Sequence, residues 1–145
     1  MALDLQSLTK LLNYLELMLN RLEEKKPDIK KITEDFDLLF SVEHMLHTAI
    51  EAAVNISEHI IAGLNLGHPD EAKESFKILA KNGIISDSLA QKLDRAPGMR
   101  NILVHEYADI DPDQVIKVIS GGKLEDLKQF SKQVTKFLQR NDNPS

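Results

Sequence analysis

Residues 44–62, HMLHTAIEAAVNISEHIIA, have two different faces when they are placed on one helix. The first face is nearly apolar and consists of Leu46, Ala49, Ile50, Ala53, Ser57, Ile60 and Ile61. The second face is polar and consists of His44, His47, Glu51, Asn55 and Glu58. Residues three and four positions apart share one side of an α-helix, so the stretch predicts an amphipathic helix. This helix should run from about Ile29 or Thr33 to Ala62, with Gly63 and Gly67 near its end.

The polar face of this helix allows two interpretations. A polar stripe of this kind is most often the solvated side of a helix, and the alternative is that it lines a cleft. His44, His47 and Glu51 lie at positions i, i+3 and i+7, a spacing that also suits three metal ligands on one side. Because such histidine pairs are common by chance on exposed helices, no metal site is predicted.

Helical spacing of apolar residues continues along the rest of the chain. Leucines at three- and four-residue intervals predict a first helix over Leu3–Glu24, which Pro27 ends. Further helices are predicted from His68 to Lys81, from Ser86 to about Arg95, from Met99 to about Tyr107, and from Asp111 to Leu138 with a pause at Gly121 and Gly122. No segment alternates apolar and polar residues as a strand would, so the fold class is all-α. Residues 1–145 are expected to form a single domain, with a frayed tail from Asn141 to Ser145.

Composition restricts the possible functions. The chain has 145 residues, a net charge of −5 and no cysteine, which excludes a disulfide framework and thiolate chemistry. No apolar run approaches the length of a membrane span, and the first residues do not resemble a signal peptide, so we expect a cytoplasmic protein without membrane contact. Proteins that bind nucleic acid over a long stretch usually carry a basic excess. Any contact of this chain with nucleic acid should therefore be local.

The segment Gly98–Tyr107, GMRNILVHEY, combines residues suited to phosphodiester chemistry. His105 can accept and donate a proton near neutral pH, because an unperturbed histidine titrates at about 6.5. Arg100 remains charged and offers a planar fork that matches phosphate oxygens. Together they suit cleavage of RNA by its own 2′-hydroxyl, in which histidine moves a proton and arginine stabilises the charge on the phosphate. This chemistry needs no metal and no cofactor.

The spacing of Arg100 and His105 imposes a geometric condition. At about 100° per residue, the two side chains lie roughly 140° apart around an ideal helix, whereas Asn101 and His105 share a face. Two arrangements satisfy the chemistry. Either the helix is irregular at its start, near Pro97 and Gly98, or two copies of the motif face each other across a twofold axis. The second arrangement predicts a homodimer with a composite cleft.

Arg100-Asn101-Ile102-Leu103-Val104-His105-Glu106-Tyr107 resembles the Arg-x4-6-His signature of HEPN-domain ribonucleases. Its Arg-x4-His-x-Tyr form is similar to that of HepT toxins from HepT/MNT toxin–antitoxin modules. The resemblance extends upstream, to residues 49–62 and to residues 79–85 with Leu89 and Leu93, and covers roughly residues 49–130. The combination of motif and upstream context is far more specific than a bare Arg-x4-His pattern.

The resemblance implies a HEPN-type helical bundle with two long antiparallel helices, shorter helices and a homodimeric state. It implies a metal-independent endoribonuclease toxin of a type II or type VII-like module, with RNA as substrate and a cognate MNT-type nucleotidyltransferase as antitoxin. Arg100 and His105 would be catalytic, and Asn101, Asn55 and Glu51 would support them. Tyr107 would be where the partner attaches AMP. Family members often carry an acidic residue at the position of Asn55, and asparagine can orient a group but cannot act as a base.

Other interpretations of the same residues stay open. Arg100 and His105 would form a structural pair if His105 capped a carbonyl and Arg100 bridged surface carboxylates such as Glu106. Tyr107 would then only cover the helix with its ring. The whole chain would in that case be a non-catalytic helical dimer that binds RNA or nucleotide, or that docks a nucleotidyltransferase.

Overall fold

The computed structural model describes residues 3–94 and 112–142, and every regular element in these two ranges is a helix. The α-helices are α1 (Leu5–Lys25), α2 (Ile29–Glu34), α3 (Phe36–Leu64), α4 (Ala72–Lys81), α5 (Asp87–Leu93), α6 (Pro112–Ser120) and α7 (Lys123–Asp142). A 3-10 turn over Lys26–Asp28 joins α1 to α2. The all-α prediction is confirmed for the described residues.

Helix α1 forms where the leucine spacing predicts it. The Asp4 carboxylate caps the helix by accepting hydrogen bonds from the Ser7 backbone N–H at 3.1 Å and from the Ser7 hydroxyl at 2.7 Å. The leucines that recur at three- and four-residue intervals are buried, namely Leu8, Leu12, Leu15, Leu19 and Leu22. Pro27 falls in the 3-10 turn, as expected of a residue that cannot continue an α-helix.

The long helix predicted from Ile29 or Thr33 is in fact two helices, with the break at Asp35. Asp35 has an extended backbone (φ −115°, ψ 108°), and its carboxylate accepts hydrogen bonds from the backbone N–H groups of Asp37 and Leu38. Asp35 is therefore the N-cap of α3. The apolar spacing continues across it, with Ile32 and Leu39 both buried, which is why the sequence predicts one uninterrupted helix.

Two further boundaries differ from the sequence prediction. Helix α3 ends at Leu64, because Asn65 adopts the left-handed conformation (φ 54°) and its N–H bonds back to the Ala62 and Ile61 carbonyls. Gly63, a predicted terminator, lies inside the helix. Helix α4 begins at Ala72, so Pro69 belongs to the preceding loop rather than to the first turn. Ser86, where the sequence predicts the next helix to start, is the N-cap of α5, since its hydroxyl accepts a hydrogen bond from Leu89 N–H at 3.1 Å.

Helices α1 and α3 run antiparallel, and α7, which contacts both of them, also runs antiparallel to α1. The start of α1 lies near the end of α3, where His59 is close enough to Asp4 to lower the pKa of its carboxyl. The same end of α1 also lies beside the end of α7, since Leu5 and Leu138 line one groove. Phe76 of α4 and Phe130 of α7 meet edge to face in the core, with ring centroids 5.7 Å apart. The C-terminal ends of α3 and α7 therefore lie at one end of the molecule.

Within residues 3–94 and 112–142, none of the helices combines the length and the apolar content that a membrane span requires.

Candidate functional site

The polar face of α3 is neither fully solvated nor fully buried. His44 and Glu58, at its two ends, are exposed, whereas the three residues between them are half-buried, namely His47, Glu51 and Asn55. The opposite face is buried as predicted, and its one polar member, Ser57, donates a 2.9 Å hydrogen bond to the Ala53 carbonyl. The rigid, core-anchored helix thus holds Glu51 and Asn55 one turn apart on an accessible face.

Glu43 and His47 form an unusual pair one turn apart on α3. Glu43 is only 7% exposed, and burial raises the pKa of its carboxyl, against the opposing influence of His47 and His44. The Nδ1 atom of His47 is buried without a hydrogen-bond partner among the described residues. The predicted apolar face did not include Glu43, although helical spacing places position 43 on it, three residues before Leu46 and seven before Ile50.

Asn55 and Glu58 lie at the end of the molecule where α1 begins. The pKa of the Asp4 carboxyl is lowered, mainly by its hydrogen bonds with Ser7 and to a smaller degree by the nearby charge of His59. Because His59 directly follows Glu58, the second half of the α3 polar face is level with the first turns of α1. It is therefore at the same end of the molecule as the last turns of α7.

The predicted catalytic residues Arg100 and His105, together with Asn101 and Tyr107, lie outside the described residues, and their roles stay predictions. The helices that flank this segment, α5 before it and α6 after it, both bury apolar side chains in the core. Helix α5 is tied to α7 by a 2.8 Å hydrogen bond from Lys123 Nζ to the Lys92 carbonyl. Helix α6 packs against α2, α3 and α7 and buries Val115, Val118 and Ile119.

A cavity of about 490 Å³ lies between α4 and α5 and includes Asp94, the last described residue before the predicted motif. Lys77, Asp87, Gln91 and Asp94 supply its polar lining. The Oδ1 atom of Asp94 is buried and has no hydrogen-bond partner in residues 3–94 and 112–142. The sequence did not single out Asp94.

The possible metal site of His44, His47 and Glu51 is not formed by the side chains. In the described part of the chain, no group of three or more histidine, aspartate or glutamate residues is placed to hold a metal ion.

Comparison with protein families matches residues 8–134 to the ribonuclease HepT-like family. The chain belongs to that family. The match covers all the described helices except the first residues of α1 and the end of α7, and it spans residues 98–107. The resemblance drawn from the motif and its upstream context is confirmed.

Individual HepT-like proteins are similar over most of the chain. An mRNA nuclease HepT from Shewanella oneidensis is 35% identical over 112 residues, which are 77% of this chain and 84% of that protein. A tRNA nuclease HepT from Aphanizomenon flos-aquae is 35% identical over 103 residues, 71% of this chain and 69% of that protein. Among solved structures, a tri-AMPylated Shewanella oneidensis HEPN toxin in complex with MNT antitoxin superposes with a TM-score of 0.79 at 30% identity, covering 89% of this chain and 96% of that one.

These similarities place the all-α bundle with two long antiparallel helices in a family of ribonucleases. The two named nucleases differ in the RNA class that their names give, mRNA in one and tRNA in the other. Membership in the HepT-like family therefore supports an RNA-cleaving enzyme without indicating which RNA is its target.

Proposed function

We propose that this chain is a metal-independent endoribonuclease toxin, neutralised by a cognate MNT-type nucleotidyltransferase antitoxin in the cytoplasm. The observation that carries the proposal is the HepT-like match over residues 8–134, because it includes the segment with Arg100, His105 and Tyr107 in an Arg-x4-His-x-Tyr pattern. Two nuclease relatives and a toxin–antitoxin complex of similar fold support it.

Cleavage proceeds by attack of the RNA 2′-hydroxyl oxygen on the adjacent phosphorus. The bond from phosphorus to the 5′-oxygen of the next nucleotide breaks, leaving a 2′,3′-cyclic phosphate on one fragment and a 5′-hydroxyl on the other. One proton leaves the 2′-hydroxyl and one reaches the departing 5′-oxygen, and His105 serves this proton transfer. The Arg100 guanidinium stabilises the negative charge that accumulates on the non-bridging phosphate oxygens.

The polar face of α3 supplies the supporting residues. Asn55 and Glu51 are half-buried one turn apart on a helix whose other side is fixed in the core. An asparagine amide donates and accepts hydrogen bonds but does not take up a proton, so Asn55 orients the RNA or the His105 ring rather than acting as a base. Asn101, one residue after Arg100, has a similar positioning role.

The complete site requires two copies of the chain. Arg100 of one subunit and His105 of the other meet across a twofold axis, which resolves their separation of about 140° on an ideal helix. The antitoxin transfers AMP from ATP to the Tyr107 hydroxyl: the phenolic oxygen bonds to the α-phosphorus and pyrophosphate leaves. The added negative charge beside His105 repels RNA phosphates and closes the site to substrate.

RNA cleavage by the purified protein in EDTA tests this proposal, with wild type compared with His105→Ala. Wild type should produce 2′,3′-cyclic phosphate ends, and His105→Ala should lose activity by about 100-fold or more while keeping its circular dichroism spectrum and its oligomeric state. A dimeric wild type without AMP on Tyr107, verified by mass spectrometry, that cuts none of several mRNAs and tRNAs would contradict it. The chain would then be a non-catalytic dimer that binds RNA or docks the nucleotidyltransferase.

A further inference from the structure

The outward face of α7 is strongly basic, although the chain as a whole is acidic. From Lys128 to Arg140 the sequence contains four basic residues and no acidic one, at a regular spacing of four: Lys128, Lys132, Lys136 and Arg140. Lysines and arginines four apart lie on one side of a helix, about 6 Å from each other along its axis. Glu125 and Asp126 mark the end of this row in the first turn of α7.

Three of the four cations have no ion-pair partner among the described residues. Lys128 is neutralised by Glu23, since Lys128 Nζ lies 2.6 Å from Glu23 Oε1. Lys132, Lys136 and Arg140 are exposed, and none of them forms an ion pair with the described residues. We call these three residues the α7 basic row.

A second lysine row shows that this arrangement is not simply a property of exposed helices. Helix α4 carries Lys73, Lys77 and Lys81 at the same spacing, all three exposed. Acidic residues surround that row: Lys73 pairs with Glu71 at 3.5 Å, and Lys77 shares a cavity with Asp87 and Asp94. The α4 row is therefore locally compensated, and the α7 basic row is not.

A polar groove runs beside the α7 basic row. It has a volume of about 410 Å³ and lies between α1 and α7 over a floor of leucines. Thr9, Asn13, Thr135 and Gln139 offer hydroxyls and amides along it. Glu16 is its one acidic lining residue, and its carboxylate accepts a 3.0 Å hydrogen bond from the Ser131 hydroxyl. Such groups can hydrogen-bond to ribose hydroxyls and base edges, while the neighbouring cations attract phosphates.

Helix α1 carries an exposed aromatic residue about 100° around the helix from the groove-lining Asn13, and the groove lies at the end of the molecule where α3 also ends. Tyr14 follows Asn13 on α1 and is 46% exposed, with the exposed Lys10 one turn before it. Cationic grooves with accessible aromatic rings are a common arrangement for single-stranded nucleic acid. Because the last turns of α7 and α3 lie at the same end of the molecule, RNA held here is at the level of Asn55 and Glu58.

We propose that the α7 basic row and the α1–α7 groove bind a single-stranded segment of the substrate RNA outside the cutting site. The proposal rests on the proposed function in taking RNA as the ligand. The surface attracts the phosphate backbone locally, which reconciles RNA binding with a net charge of −5. This surface increases the affinity for RNA and fixes the position of the strand relative to the cutting site. The chemical step takes place at the cutting site.

Fluorescence anisotropy with a labelled oligouridylate of about 20 nucleotides tests the proposal, because this length exceeds the roughly 12 Å that the row spans. All variants carry His105→Ala, so that the probe remains intact. One variant adds Lys132→Gln, Lys136→Gln and Arg140→Gln, and the control adds Lys73→Gln, Lys77→Gln and Lys81→Gln. Both triple variants lose three positive charges on one exposed helix face, which removes net charge as an explanation of any difference.

The α7 variant should bind at least about tenfold more weakly at low salt. The slope of log affinity against log salt should also become about 2 less steep, because each of the three lost phosphate contacts contributes roughly 0.7 to it. The α4 variant should bind like the His105→Ala parent. Equal binding by the two triple variants, each with an unchanged melting temperature, would overturn the proposal. So would a loss of nucleotidyltransferase binding by the α7 variant with RNA binding intact, because the surface would then serve the protein partner.

Failure of this proposal and failure of the nuclease proposal give different results. RNA binding that depends on the α7 basic row, in a protein whose wild type cuts no RNA, supports the surface and rejects the enzyme. Cleavage by wild type with full RNA binding by the α7 variant supports the enzyme and rejects the surface.

Discussion

Lys128 Nζ lies 2.6 Å from Glu23 Oε1, and this contact joins α7 to the end of α1 across 105 positions of sequence. Lys26 approaches the same carboxylate oxygen at 3.0 Å. The hydrogen bond from Lys128, followed by that from Lys26, lowers the pKa of the Glu23 carboxyl. One carboxylate thus holds the last turn of α1 and the second turn of α7 together, at the end of the molecule opposite the α1–α7 groove.

Glu23→Gln should lower the free energy of unfolding at pH 7 by about 0.5 kcal/mol, because the pair is partly exposed and solvent screens it. The folded-state pKa of Glu23 lies below the unfolded value of about 4.3, so its contribution is present above that value and is lost as the pH falls through the folded pKa. Urea denaturation at pH 7 and at about pH 3 measures this difference. Glu24→Gln, at an exposed neighbour, serves as the control, and an equal loss in both variants would show that the Lys128 contact contributes nothing.

Asp35→Ala should destabilise the protein by about 1 kcal/mol, since the Asp35 carboxylate caps two backbone N–H groups at the start of α3. Asp35→Asn should restore most of the loss, because an asparagine oxygen also accepts these hydrogen bonds. Denaturant unfolding of the three proteins provides the measurement. Similar stability of Asp35→Ala and the exposed-site control Ser41→Ala would mean that the cap has no energetic role.

Apolar spacing predicted where the described helices lie but not all their ends, and the helix predicted from Met99 to about Tyr107 lies outside the described residues. Ile32 and Leu39 are both buried on either side of Asp35, so the periodicity is unbroken where the backbone turns. Asp35 is a residue type that is preferred at N-caps, but the unbroken apolar spacing around it favoured one continuous helix. Asn65 ends α3 in a left-handed conformation that glycine adopts more often. For that reason the helix end was predicted from the nearby Gly63 and Gly67 and not from Asn65.

The candidate site was predictable only in part. The polar face of α3 from His44 to Glu58 follows from helical spacing. The partial burial of Glu51 and Asn55 within it depends on neighbouring helices, whose positions the spacing does not specify. Helical spacing places Glu43 on the apolar face, but the spacing does not give the degree to which its carboxyl is buried. The catalytic roles predicted for Arg100 and His105 depend on the chemistry of their side chains and on the family match, because both residues lie outside the described residues.

Glu43→Gln should raise the free energy of unfolding at neutral pH by about 1 kcal/mol or less, because it removes a carboxylate whose ionisation burial opposes. The folded-state pKa is raised, so the folded protein holds more protons than the unfolded chain between the two pKa values. Wild-type stability therefore falls as the pH rises through this window, and the variant should lack that fall. Thermal melts of both proteins between about pH 4 and pH 7 measure it. A variant with the wild-type pH dependence would show that Glu43 is not its source.

Mixing two inactive variants tests whether Arg100 and His105 act across a dimer. In an Arg100→Ala/His105→Ala heterodimer, one composite site loses both residues, while the other keeps the Arg100 of one chain and the His105 of the other. Random exchange makes half of the dimers mixed, with one of two sites intact, so RNA cleavage should recover to about one quarter of the wild-type rate. Each variant alone should remain inactive. If both residues of a site came from the same chain, the mixture would be as inactive as its components, and sedimentation of differently tagged chains would verify that subunits had exchanged.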